Sequence, residues 1–187
     1  KILPELRFPE FIDAGEWNYD KIDNLFFLQD GYAFSSSDFT DSNLNSKQVI
    51  RITDINKQNK NTDKVYVGEN TIKTLELEKY TVKKGDLLLS LTGAAGFNFF
   101  IWKEDDAFIN QRTMKLNPLK KENDSLKTLL NPLIYEKINE IGTGQNNNLS
   151  KDALKEITFP FPTPPEQQKI ASCLSSLDEV IEAHSKK

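Results

Sequence analysis

The sequence predicts an α+β fold: a curved or barrel-like β unit with flanking short helices over residues 1–160, then a C-terminal coiled-coil-type helix in 161–187. Three observations predict it. Strand-sized runs recur through the first 160 residues without long helices alternating between them. One apolar stripe at helical spacing crosses residues 126–141. A proline-rich stretch at 159–165 gives way to a heptad-like seam. With 187 residues, 37% of them hydrophobic and 10% aromatic, the chain can bury the core of one domain plus an appendage.

The elements follow in order. Val49-Ile50-Arg51-Ile52-Thr53-Asp54-Ile55 alternates apolar and polar residues and predicts a strand. Asp86-Leu87-Leu88-Leu89-Ser90-Leu91-Thr92 predicts a short buried strand after the turn Lys83-Lys84-Gly85. Residues 97–102 and 108–116 flank the acidic turn Glu104-Asp105-Asp106, which predicts a hairpin. In that reading Asn110 and Arg112 share a strand face with Phe108 and Met114, so a buried structural role stands at least level with base contact. Leu126, Leu129, Leu130, Leu133, Ile134, Ile138 and Ile141 form the helical stripe, with Pro132 as a kink or break and Gly142 as the residue after the helix. Ser150 suits the cap of a short helix through Glu156.

Residues 159–165, Phe-Pro-Phe-Pro-Thr-Pro-Pro, read as a stiff connector. Thr163 and Glu166 then make a capping box around Pro164. Ile170, Cys173, Leu177, Val180 and His184 recur at three- and four-residue steps, and Leu174 and Ile181 widen the stripe. A stripe of that width suits an association helix, one that packs on its own domain and on a second helix.

Charge narrows the function. The net charge of −4 argues against a general polyanion binder, since grip on phosphates rests on Lys and Arg. The balance is uneven: −6 over residues 1–46 (three basic, nine acidic), +3 over 47–160 (eighteen and fifteen) and −1 over 161–187 (three and four). Nucleic-acid binding would therefore be local, or shared with a basic partner. No run of eighteen apolar residues predicts a membrane span. The first residues carry no signal-peptide pattern, and the missing initiator Met suggests a fragment. One cysteine excludes an internal disulfide framework, so a reducing cytoplasmic setting is expected.

Catalytic constellations do not emerge. GxGxxG and GxxxxGK[ST] loops are missing, as is any Asp/Glu-x-Lys triplet. Asn131-Pro132-Leu133-Ile134-Tyr135 lies inside the helical stripe and reads as helix. His184 and Cys173 sit on the final seam, where a packed or solvent-edge histidine and a small core thiol are the plain readings.

What remains is recognition material. Lys57, Gln58, Asn59, Lys60 and Lys64 fall in one loop between strands; lysines can neutralise phosphates, and Gln or Asn can pair bidentately with adenine. The same composition suits a solvated hairpin tip. Ser35 and Ser36 open a second polar loop, and Ser90, Thr92 and Gly93 end a strand with small residues that permit close approach.

Taken in order, these patterns resemble one family. They are Leu3-Pro4-Glu5-Leu6-Arg7-Phe8-Pro9, Glu16-Trp17, Gly31-Tyr32-Ala33-Phe34-Ser35-Ser36, Ile50-Arg51-Ile52-Thr53-Asp54-Ile55, and Lys84-Gly85-Asp86-Leu87-Leu88-Leu89-Ser90-Leu91-Thr92-Gly93. Ile109-Asn110-Gln111-Arg112, Gly144-Gln145-Asn146-Asn147-Asn148-Leu149-Ser150, Phe159-Pro160-Phe161-Pro162 and Glu166-Gln167-Gln168-Lys169-Ile170-Ala171 complete the set. The order is similar to that of the specificity (S) subunit of type I restriction–modification systems. The resemblance implies a DNA target-recognition domain over 1–160 and the start of a conserved dimerisation and spacer helix in 161–187.

Further expectations follow from the resemblance. The chain would be a non-catalytic component that reads one half of a bipartite double-stranded DNA target and scaffolds methyltransferase (M) subunits. Restriction (R) subunits would join through the complex. A second S half, or a second copy, would pair through Ile170, Cys173, Leu174, Leu177, Val180 and Ile181. S-adenosylmethionine, ATP and Mg would reside only on partner subunits. One recognition unit is present where a full subunit of the family has two, which implies a half-subunit or a fragment. Two alternatives stay open: the recognition domain of a fused restriction–methylation enzyme, and a non-DNA protein-interaction β module with a dimerising helix.

Overall fold

The computed structural model describes residues 7–42, 45–55, 64–92, 97–143 and 147–185. In chain order they form β1 (Asn18–Lys21), α1 (Ile22–Leu25), β2 (Phe26–Asp30), β3 (Phe39–Thr40), β4 (Ser46–Ile50), α2 (Ile52–Ile55), β5 (Val65–Gly68) and α3 (Glu69–Thr74). They continue with β6 (Thr81–Val82), β7 (Leu87–Ser90), β8 (Phe99–Ile101), β9 (Ala107–Ile109), β10 (Thr113–Pro118), α4 (Leu126–Thr143), α5 (Lys151–Lys155), β11 (Thr158–Phe161) and α6 (Pro164–Ser185). The strands make a four-stranded sheet in the order β2-β10-β7-β8, a five-stranded sheet β3-β5-β4-β9-β6, and a ribbon β1-β11. Every pairing is antiparallel except β4 with β9. The α+β class holds, with open sheets and a long C-terminal helix.

Alternation fixes which side chains go inside. On β10, Met114 and Leu116 join Leu28, Leu87 and Leu89 in the main core. The predicted stripe of α4 closes it with Leu126, Leu130, Ile134 and Ile138. Leu88, facing the other way, packs with Ile50, Trp102 and Ile109 in a second cluster. A third gathers Val49, Val67, Leu77 and Phe108 about the five-stranded sheet.

Several expectations are corrected. Pro132 neither breaks nor splits α4; it sits on the exposed face, where the Thr128 carbonyl loses its helical donor at the least cost. Gly142 is not beyond the helix but inside it, and it packs so closely that a Cβ there would come 2.0 Å from the ring of Phe97. The run 49–55 is strand only to Ile50; the Asp54 carboxylate then accepts from the Arg51 N–H (2.8 Å) and closes the helical turn α2. The hairpin predicted from 97–102 and 108–116 does not form. β8 pairs with β7, β9 with β4 and β6, and β10 with β2 and β7.

The C-terminal segment also differs in detail. The connector residues Thr158–Phe161 are a strand, pairing with β1 so that Pro160 lies opposite Tyr19. A two-stranded ribbon leaves each strand an open edge, which tolerates a proline. Ser150 caps α5 as expected, accepting from the Ala153 N–H at 3.1 Å. Glu166 does not reach back in a capping box. It is buried against Arg7 (2.6 Å), and Arg7 also donates to the Gly15 carbonyl. The Gln167 amide donates to Asn123 Oδ1 (3.2 Å) and to the Pro162 carbonyl (2.9 Å). These contacts bind the first turn of α6 to the domain. Beyond Ala171 the helix is largely bare: Leu177, Val180 and Ile181 are 54%, 55% and 62% exposed, and Cys173 is exposed rather than packed.

Candidate nucleic-acid interface

The strand directions bring several loops to one rim. Antiparallel pairing sets Asp30 opposite Met114 and Ser90 opposite Thr113, so β2 and β7 both end where β10 begins. The parallel pair sets Ile50 beside Ile109, so β4 and β9 end there too. A bridge between Tyr32 and Asn110 joins the two sheets at this rim. A second bridge, Thr92 with Asn148, adds the polar loop that follows α4, and the Leu149 N–H donates to the Leu91 carbonyl (2.9 Å). Two segments far apart in sequence, the end of β7 and the amide-rich loop before α5, thus meet.

The candidate residues divide by position. Lys57, Gln58, Asn59, Lys60 and Gly93 lie outside the described residues. Lys64 precedes β5 and pairs with Glu104 of the β8–β9 connection at 2.6 Å. That hydrogen bond raises the lysine pKa above its ordinary value, so Lys64 carries a charge already answered by a carboxylate. Ser90 is fully buried, and its hydroxyl accepts from the Asn98 N–H (2.8 Å). It supports the loop rather than facing a ligand. Thr92 is half-buried at the rim itself.

Ser35 and Ser36 are exposed but lie elsewhere. The Ser35 hydroxyl donates to Asp38 (2.8 Å), and Ser37 of the same turn shares a hollow with Gly68, Glu69 and Asn70. That hollow is at the end of β5 remote from Lys64. The structure separates this pair from Ser90 and Thr92.

Sequence reasoning did not single out Gln111, and it set Arg112 on a strand face with a buried structural role weighed against base contact. They were expected within a strand beside Phe108 and Met114; instead β9 stops at Ile109, β10 starts at Thr113, and both side chains are exposed on the turn between. The signal was there to read. Asn110-Gln111-Arg112-Thr113 puts four polar residues in a row, where a half-buried strand would alternate.

Other charges at the rim are compensated. Lys151 pairs with Asp30 (2.6 Å), and the Arg51 guanidinium lies 3.7 Å from Asp54. Among the described residues, no group of three His, Cys, Asp or Glu side chains is placed to hold a metal ion, and no helix is long and apolar enough to cross a membrane. The rim offers hydroxyls, amides and cations on rigid strand ends, which suits recognition of a polar surface.

A family model, the type I restriction modification DNA specificity domain, matches residues 14–187. The chain belongs to that family. Its members are DNA-recognition components rather than catalysts. The fold agrees with three solved structures. A chain from work on complex assembly and conformational transition of the type I R-M system has TM-score 0.66 at 17% identity, over 98% of this chain and 42% of that one. The HsdS subunit from Thermoanaerobacter tengcongensis has TM-score 0.58 at 15% identity, over 97% and 41%. The type I restriction–modification S subunit from M. genitalium has TM-score 0.63 at 14% identity, over 95% and 42%. This specificity domain therefore spans about 42% of the length of the solved chains it matches. No curated protein matches it in sequence.

Proposed function

We propose that this specificity domain reads one half of a bipartite target in double-stranded DNA, as part of a type I restriction–modification complex. Residues 1–160 act as the recognition unit, and 161–187 begin the helix that joins it to a second unit or a second copy. Methyltransferase subunits dock on this scaffold, restriction subunits join through them, and S-adenosylmethionine, ATP and Mg stay on those partners in the cytoplasm. The carrying observation is the division of α6. Its start is locked into the domain through Glu166 and Gln167, while Leu177, Val180 and Ile181 project beyond it. A helix that only closed its own core would bury that stripe. One fixed at its root and bare beyond holds a recognition unit at a set position relative to its neighbour.

The modest charge is consistent with this. Partner subunits can supply much of the phosphate grip, leaving the rim to discriminate. The test is a gel-shift assay with methyltransferase subunits, with and without this chain. Sequence-selective retardation that needs the chain supports the reading. Association of the proteins without any selective DNA binding would favour the protein-interaction alternative.

A further inference from the structure

We propose that Arg112 is a phosphate contact for duplex DNA, held in place by a turn built to present it. The inference rests on the DNA-recognition reading above and assigns a residue to it.

The turn is clamped on every side. The Thr113 N–H donates to the Asn110 carbonyl (2.9 Å), which closes it. The Asn110 N–H donates to the Ile50 carbonyl (3.1 Å) and the Gln111 N–H to the Tyr32 carbonyl (2.9 Å), tying it to β4 and to the chain after β2. The Leu91 N–H donates to the Arg112 carbonyl (2.9 Å), tying it to the end of β7. Gly31 packs so close that a Cβ there would lie 2.2 Å from the Asn110 oxygen. The backbone of Arg112 is thus positioned by three separate strand ends, as a preorganised contact requires.

Its side chain is left open. The chain has three arginines. Arg7 is committed to Glu166 and Arg51 sits against Asp54, whereas Arg112 is exposed and has no acceptor among the described residues. Among the described residues, Lys64 and Lys151 already hold carboxylates. A guanidinium offers a planar fork of donors that matches a phosphate and stays charged at any working pH. Presented on a fixed backbone beside the Thr92 and Asn148 bridge, it can anchor one strand while the adjoining loops address the bases.

The experiment uses the chain assembled with its methyltransferase subunits and a duplex carrying the site that the complex methylates. Affinity is measured against salt for wild type, Arg112→Ala and Arg112→Lys, with Lys121→Ala as a control at the opposite end of the sheet. The proposal expects Arg112→Ala to reduce the log–log salt slope by roughly 0.9, equally on matched and mismatched duplexes. Arg112→Lys restores most of the slope, and Lys121→Ala leaves it unchanged. Thermal unfolding stays the same for all three, since none removes a packed contact. Unchanged slope and affinity in Arg112→Ala overturn the proposal, as does altered base preference at constant slope. A wild-type complex with no selective binding overturns the functional reading itself, and this inference with it.

Discussion

Arg7 grips Glu166 with two donors, Nε to Oε1 at 2.6 Å and Nη2 to Oε2 at 2.7 Å, across 159 residues of sequence. The pair staples the beginning of the described chain to the root of α6. Buried forked pairs of this kind depend on both partners, because either one alone is a stranded charge. Glu166→Gln will therefore lower the thermal midpoint more than Glu156→Gln, which removes only the exposed partner of Lys21. Equal shifts in differential scanning calorimetry would reduce the staple to a surface pair.

Gln167 makes the second attachment. Replacing it with Ala strands Asn123 and the Pro162 carbonyl in a buried site, at a cost of about 1–3 kcal/mol. Urea unfolding measures this directly. A loss well below that range would mean that Gln167 adds little to the attachment of α6.

Two glycines are set by close approach. Gly142→Ala drives a methyl into the Phe97 ring and will cost about 1–3 kcal/mol through overpacking. Gly31→Ala meets backbone rather than a side chain, so it will displace the turn carrying Arg112 as well as destabilise the fold. DNA affinity measured below the unfolding transition should fall for Gly31→Ala and hold for Gly142→Ala.

Much of this was legible before the structure, and the failures share a cause. The start of α6, the stripe of α4 and the Ser150 cap rest on local patterns, and each appeared where the pattern put it. Strand partners are not local. Residues 97–102 and 108–116 both read as strands, yet nothing in their alternation said that β8 would turn to β7 while β9 crossed to the other sheet. The polar run Asn110–Thr113 breaks the alternation at Gln111 and Arg112, but a strand read from Phe108 through to Leu116 passes over that break. Glu166 matched a capping box in spacing, but its partner lay 159 residues away. Of the rim, the end of β7 was anticipated. Its meeting with Asn148 and the Arg112 turn required the fold.

The loop lysines make a separate prediction. Replacing Lys57, Lys60 and Lys64 together with Ala will flatten the salt dependence of DNA binding by roughly 0.9 per lysine that touches phosphate. Lys64→Ala alone will contribute least, because that ammonium must leave Glu104 before it can serve DNA. Gln58→Ala or Asn59→Ala will instead change base preference by about 1–3 kcal/mol. Unaltered slope and preference across the set would mark the loop as a solvated tip.

Leu177→Asp places a charge on the bare stripe of α6 and will weaken association through this helix at least tenfold, about 1.4 kcal/mol or more. Sedimentation at matched concentrations reads the association, and circular dichroism confirms that the β sheets remain. A wild-type chain that stays monomeric, including when extended beyond Lys187, would contradict the role assigned to the helix.

If this chain reads the DNA target as proposed, it decides which sequence its complex modifies. Methylome sequencing of cells with and without the gene tests it most directly. One bipartite methylation motif should disappear with the gene and return with it, while all other motifs persist. An unchanged methylome, with the chain expressed and its partners active, would contradict it.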